Sequence, residues 1–178
     1  MYKDIVQALC KILEKNGVLR HFDAVSLEKA FKDRSDITFE DFLLEEGITT
    51  KPELLIALGE FYEVPALDIE GELLEHQLVV MFPKDEMLRN FFIPYLRDGD
   101  VLQVVASNPN NATLSEIIGR YVSYDVTYMV GIARDISDMV EEYYDASITE
   151  RELDVFEPAE EEEKKQDFDD IVDEEGGI

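Results

Sequence analysis

Basic residues are scarce in this chain: 16 lysines and arginines stand against 42 aspartates and glutamates, a formal net charge of −26. A surface of that sign repels phosphate backbones and anionic lipid heads, so direct nucleic-acid binding is disfavoured. It would suit a basic protein partner, or simply be a solvated acidic surface. Cysteine is almost absent. The single Cys10 excludes an internal disulfide framework and fits a reducing compartment. No apolar run approaches the roughly 20 residues that span a bilayer. The opening MYKDIVQAL is amphipathic and lacks the apolar core and small-residue cleavage site of a signal peptide. These absences predict a soluble, cytoplasmic protein with no direct membrane insertion.

Catalytic signatures are missing too. No G-x-x-x-x-G-K-[ST] string occurs, and none of the nine glycines makes a G-x-G-x-x-G. The two histidines, His21 and His76, lie far apart and form no ligand cluster with Cys10, so no metal site is expected. A Cys10–His21 catalytic pair is conceivable. Cys10, however, falls at the edge of an apolar helix face, where a cysteine serves as a small hydrophobe. Paired carboxylates occur throughout so acidic a chain and say nothing about acid–base work. The expectation is a protein that is not an enzyme, with no catalytic residue and no cofactor.

What is present is a repeat. Leu9 to Gly17, LCKILEKNG, returns thirty residues later as Phe39 to Gly47, FEDFLLEEG. Both copies place an apolar residue eight before a glycine and two more five and four before it. That spacing puts Leu9, Ile12 and Leu13, and then Phe39, Phe42 and Leu43, on one face of a helix. The glycine just past the last turn is the usual left-handed stop, and Val18 and Ile48 come next to tuck under the helix end. Two such units must pack together to bury their faces.

The pattern predicts a first helix over residues 2–16, burying Ile5, Ala8, Leu9, Ile12 and Leu13. A loop through His21 and Asp23 leads to Ser26 as N-cap of a short helix carrying Leu27, Ala30 and Phe31. After a polar turn over 32–36, Thr38-x-x-Asp41 resembles a capping box, and Thr50-x-x-Glu53 is a better one with Pro52 in its first turn. That last helix reaches about Tyr62, burying Leu54, Leu55, Leu58 and Phe61. Val64-Pro65 ends the helical part. Residues 66–71 read as a connector, 73–81 as a short apolar helix, and Pro83 to Arg89 as another.

The period then switches to strands. Phe91–Leu96 and Val101–Ala106 flank Arg97-Asp98-Gly99-Asp100, a hairpin signal, with Pro94 marking an edge or irregular strand. Thr113-x-x-Glu116 would cap a helix bearing Leu114, Ile117, Ile118 and Tyr121. Residues 125–131 form a third strand, and 133–144 a closing helix with Ile136, Met139, Val140 and Tyr143 inward. The expected architecture is α+β: a helical subdomain over 1–63, a three-stranded sheet covered by helices over 64–146, and an acidic, disordered tail or linker over 147–178. From Glu150 to Ile178 the tail holds 14 acids and 3 bases. Within it Phe168, Ile171 and Val172 recur at helical spacing among Asp169, Asp170 and Asp173, the makings of a short docking motif or of a plain linker.

The repeat and the segments after it resemble the N-terminal region of the assembly ATPases of type II secretion and type IV pilus systems, the GspE/MshEN-like domain. The resemblance spans about residues 5–145. The family signature is a tandem R-L-G-x-x-L-x-x-x-G-x-x-x-x-x-x-L-x-x-x-L-x-x-Q. Further along, Val64-Pro65 with Leu67-Asp68-Ile69, then Phe82-Pro83, Phe92-Ile93-Pro94 and a Val104-to-Pro109 strand end, fall in the family's order. The positions kept are Leu9, Leu13 and Gly17 in the first copy and Leu43, Gly47, Leu54 and Leu58 in the second. The arginine, glycine and glutamine positions hold Thr38, Glu40 and Phe61 in the second copy, and Ala8 and Cys10 replace the arginine and first glycine in the first.

The resemblance implies a non-catalytic docking or regulatory module whose partner is a cytoplasmic domain of an inner-membrane platform protein, or an assembly ATPase. No motor domain is recognisable, and the ending EEGGI favours a stand-alone product over a fragment. In sensory members the tandem binds cyclic di-GMP, which makes a nucleotide sensor the alternative, with Leu9, Leu13, Gly17, Leu43, Gly47, Leu54 and Leu58 as its residues. The lost arginine and glycine would have gripped phosphate or guanine, and Glu40 sets a negative charge against a dianionic ligand.

Overall fold

The computed structural model describes residues 2–19, 24–32, 34 and 36–154, and the side chains of those between Ile5 and Tyr144. His21, Asp23 and the tail from 155 onward, with Phe168, Ile171 and Val172, lie outside the described residues.

Both copies of the repeat fold as helix and stop. Helix α1 runs Tyr2–Lys15, α2 Ala24–Lys32, α3 Phe39–Glu45 and α4 Lys51–Tyr62. After α1, Gly17 N–H donates to Glu14 O at 3.0 Å and Val18 N–H to Leu13 O at 2.9 Å. After α3, Gly47 N–H donates to Leu44 O at 3.1 Å and Ile48 N–H to Leu43 O at 2.9 Å. This pair of bonds is the Schellman arrangement, and it needs a left-handed residue at the glycine. Gly17 has φ 75° and Gly47 φ 63°, and a Cβ at either would meet nothing within 4 Å. Backbone conformation, not close approach by a neighbour or ligand, therefore requires glycine at both stops.

The caps match the sequence in part. Thr38 Oγ1 accepts from Asp41 N–H at 3.1 Å and donates to Asp41 Oδ2 at 2.8 Å. Thr50 N–H donates to Glu53 Oε2 at 2.9 Å. Helix α2, by contrast, opens at Ala24, which packs against the core, so Ser26 lies inside the first turn and does not cap it. Phe61 is only partly buried, and Ala57 and Tyr62 share the core face in its place.

The second half opens with α5 (His76–Val79) and α6 (Lys84–Asn90). The helix expected over 73–81 shrinks to α5: Leu73 is 95 % exposed, and burial of Leu78 and Val79 sustains a single turn. Strands β1 (Phe92–Asp98) and β2 (Val101–Ala106) pair antiparallel around Gly99, at φ 58°. The register slips between Pro94 and Leu96, where proline cannot donate to the ladder. Helix α7 (Leu114–Gly119) carries the chain to β3 (Asp125–Val130), parallel to β2, for a sheet order β1-β2-β3. Thr113 does not cap α7. Its own backbone is helical, and its N–H and hydroxyl both donate to Asn111 Oδ1, which supplies the turn. Helix α8 (Ala133–Asp154) continues past the end expected at Tyr144 and crosses the boundary drawn at 147.

Two apolar clusters fill the molecule. One joins Leu9, Leu13, Phe39, Leu43, Leu54 and Leu58, and the other joins Phe82, Met87, Phe92, Val105, Ile118 and Ile136. Val130 and Ile132, at the end of β3 and just beyond it, belong to the first cluster and bring α4 against the sheet. The connector is pinned there as well, since Val130 N–H donates to Pro65 O at 2.8 Å and Leu67 N–H to Val130 O at 2.9 Å. Among the described residues, no helix is long and apolar enough to cross a membrane.

Candidate functional site

The leucines kept from the tandem signature build the core. Leu9, Leu13, Leu43 and Leu54 have no exposed surface and Leu58 has 2 %, while Gly17 and Gly47 serve as helix stops. The structure brings these leucines together as packing partners within the first cluster. Cys10 is fully buried beside them. Burial first, then Glu28 and Glu14, pushes its thiol up to about 11, far from a reactive thiolate. His76 is held through Nδ1 by the Tyr143 hydroxyl, with the two rings 5.6 Å apart.

Glu40, at the signature's glycine position, is half-buried on α3. Burial raises its carboxyl above the ordinary range, against its own backbone hydrogen bond, and the nearby Asp41 adds to the rise. Its charge is felt by Tyr62, whose phenol is pushed up to about 12 by burial and then by Glu40. A carboxyl that titrates higher folded than unfolded disfavours folding while charged, so its cost is full at neutral pH and is relieved as pH falls through the folded pKa. Glu40→Gln is expected to stabilise the protein at pH 7 by about 0.5–1 kcal/mol, seen as a melting midpoint about 1–4 °C higher. Calorimetric scans at pH 7 and pH 5 check this, because the gain shrinks at the lower pH.

A polar knot joins the two halves. Lys51, the first residue of α4, reaches Asp135 Oδ2 on α8 at 3.0 Å, Asp68 Oδ1 of the connector at 3.7 Å, and Glu70 Oε2 in closer contact still. The connector turns back on itself here, Glu70 N–H donating to Asp68 Oδ1 at 3.2 Å. The three carboxylates offer oxygens within 4.8 Å of one another, a spacing a divalent cation could use. The Lys51 ammonium already occupies that role. Its proton is held well above the usual lysine range by Glu70, Asp135 and Asp68, in spite of desolvation, the largest single contribution. The Asp135 carboxyl is raised by burial, with Lys51 opposing.

Beside the knot runs a groove of about 340 Å³ between α3 and α8. Leu44, Ile132 and Met139 give it apolar surface, and Asp41, Glu70, Asp135, Asp138 and Glu142 ring it with acid against Lys51 and Arg134. Among the described residues, Asp41 Oδ1 is the buried side-chain oxygen left without a hydrogen-bond partner. Sequence reading missed this groove, because its residues come from four segments that only the fold brings together. The one local hint was Lys51, a rare base at a helix start, where the helix dipole favours acid.

A family model for the MshEN domain matches residues 62–150. The match falls on the sheet half, so the tandem helices lie almost wholly outside it. A search of curated proteins finds no match. Among solved structures, one described as MshE with cdg is 20 % identical, covers 76 % of this chain and 98 % of its own, and superposes with a TM-score of 0.58. The N-terminal domain of XpsE is 15 % identical, covers 75 % of this chain and 92 % of its own, with a TM-score of 0.53. At these identities the two structures show a shared fold.

Proposed function

The chain belongs to the MshEN domain family, and on that footing we propose that it is a non-catalytic, cytoplasmic docking module that binds a component of a type II secretion or type IV pilus machinery. The observation that carries this reading is the groove between α3 and α8, with its acidic ring and its apolar strip. A basic, partly apolar segment on a partner's cytoplasmic domain would satisfy both: lysine or arginine donors for the carboxylates, and an aliphatic side chain against Leu44 and Met139. No reaction is assigned to the protein. The described residues supply a charged surface suited to fast, salt-sensitive association.

Affinity capture from native lysate tests it. Wild-type protein is expected to recover a secretion, pilus or motility component. The exposed double substitution Asp138→Lys/Glu142→Lys is expected to reduce that recovery by tenfold or more, since like charges across an interface cost about 1.4 kcal/mol or above. Recovery of no such component, or equal recovery by both proteins, removes the reading.

The alternative is a cyclic di-GMP sensor, because the MshE structure that shares the fold is described with cdg. The residues argue for docking instead. The tandem's leucines are sealed in the core, and Glu40 adds charge where a phosphate would need none. Titration calorimetry with cyclic di-GMP is expected to show no saturable heat up to about 1 mM ligand, a limit of roughly −4 kcal/mol in binding free energy. Saturation near micromolar would reinstate the sensor.

A further inference from the structure

We propose that the docking surface continues past the acidic groove, along α8 to the loop at Leu73, and that the trough so formed receives a basic amphipathic helix of the partner. That ligand presupposes the docking function and specifies its chemistry. A second groove, about 350 Å³, lies between α8 and residues 71–74. Met139 and Glu142 line both grooves, and Glu70 of the first directly precedes Gly71 of the second. The two are one trough with α8 as its shared wall.

An apolar side chain stands in solvent at its far end. Leu73 lines the trough yet is 95 % exposed, while Leu74 beside it packs against the second apolar cluster. The loop that presents Leu73 is held in place. Glu72 N–H donates to Ile69 O at 3.2 Å, Gly71 takes φ 77°, and Glu72 Oε2 accepts from the Tyr95 hydroxyl at 3.0 Å. Leu44 and Met139 supply apolar surface at the other end. Asp135 and Tyr143, which mark the two ends on α8, are about 12 Å apart along its axis. A partner helix of three turns, about 16 Å, reaches both. The backbone groups of α8 are bonded within the helix, so its wall offers side chains and no strand edge to extend. A helix, its own backbone likewise satisfied, is the occupant that fits.

Charge excludes the occupants nearest at hand. Six acids line the trough, Asp41, Glu70, Glu72, Asp135, Asp138 and Glu142, against two bases, Lys51 and Arg134. Both bases are taken, Lys51 by Asp68, Glu70 and Asp135, and Arg134 by Glu45 at 3.9 Å. Asp138 and Glu142 are exposed on α8 and form no ion pair among the described residues. The chain's own end, with 14 acids and 3 bases over 150–178, and a second copy of net charge −26 are both repelled. A foreign segment gains if it carries lysine or arginine beside an apolar face: cations for Asp138 and Glu142, aliphatic side chains for Leu73 and Met139.

Titration of the full chain with a synthetic peptide tests it. The probe is a helix of about five turns built from lysine, alanine and leucine, with its leucines three and four apart on one face. A control peptide of the same composition sets the leucines at every second position, the period of a strand. The helical pattern is expected to bind about tenfold tighter than the control. Leu73→Ser should weaken the helical peptide about tenfold and leave the control unaffected. The melting midpoint should not move, because that side chain is exposed. Leu73→Met should keep the tight binding, and Asp138→Lys/Glu142→Lys should weaken both peptides about tenfold or more. If the charge variant weakens binding and Leu73→Ser does not, the surface stops at the acidic groove; the proposal is then overturned while the docking function stands. If the charge variant leaves binding unchanged, both fall together. Equal or tighter binding of the strand-period peptide would rule out a helix as the occupant.

Discussion

Phe39→Ala is expected to lower the unfolding free energy by about 3–5 kcal/mol, the cost of truncating a fully buried aromatic ring. Phe39 is 1 % exposed at the start of α3. Its ring meets Phe31 of α2 edge-on at a centroid distance of 5.1 Å and Phe42 at 6.2 Å, while Phe31 reaches Phe42 at 5.5 Å. The three rings are the seam between α2 and α3, so a cavity there loosens the two helices together. Aromatic pairs of this geometry add about 0.5–1.5 kcal/mol beyond the area they bury, and a helix of seven residues has little stability of its own to compensate. Leucine is the residue the family signature places here, and Phe39→Leu should recover about half of the loss because most of the apolar volume returns. Chemical denaturation at pH 7, with the slope held constant between variants, reads both effects. A loss below about 1 kcal/mol for the alanine variant would mean the ring cluster collapses without cost.

The same three rings show how far the sequence carried the fold. Periodicity placed Phe39, Phe42 and Leu43 on one face and Phe31 on the neighbouring helix, and the glycine stops announced two units that had to pack. The hairpin around Gly99 was legible for a similar reason: Asp-Gly between two β-prone runs leaves few other conformations. Long-range relations were not legible. Nothing local told that β3 would lie parallel to β2, that Leu67 would pair with Val130, or that Leu73 would stand in solvent while Leu78 went under. Capping at Thr113 failed because its backbone is already helical and its N–H and hydroxyl both donate to Asn111 Oδ1, two residues earlier.

The candidate site was less visible than the fold, for a physical reason. The tandem signature reads its ligand and packing positions from one stretch, so the loss of arginine and glycine could be seen at once. The acidic groove instead draws Asp41 from α3, Glu70 from the connector, and Asp135 and Glu142 from α8. With 42 acidic residues in the chain, any four carboxylates look alike until the backbone sorts them. Family membership, matched over 62–150, entered through the sheet half, where the Phe92-Ile93-Pro94 hairpin and the Val104–Pro109 strand end sit.

Lys51→Met is expected to destabilise the protein by about 1–2 kcal/mol at pH 7, between the value of an exposed pair and that of a buried one. The Lys51 side chain is 26 % exposed and that of Asp135 15 %. Methionine keeps the apolar stem and removes the charge, so the loss isolates the electrostatic part. Without the ammonium, Asp68, Glu70 and Asp135 face one another with oxygens within 4.8 Å. The pH dependence comes from the directions of their shifts. Glu70 is held below its ordinary value by its hydrogen bond to Lys51, so its stabilising part is present above the unfolded carboxylate range and is lost as pH falls through the folded pKa. Asp135 is raised by burial even with Lys51 present, and losing the lysine raises it further, so its charged form costs most at neutral pH. Both contributions make the variant's deficit largest at pH 7 and smaller below about pH 5, where carboxyls begin to protonate. Thermal melts should show a midpoint about 2–8 °C lower at pH 7 and a gap that narrows on acidification. The double variant Lys51→Met/Asp135→Asn should regain part of the loss, because it removes the one carboxylate of the three that the fold buries. A deficit that is independent of pH, or deepened by Asp135→Asn, would show that Lys51 acts through its stem and that the charges around it are incidental.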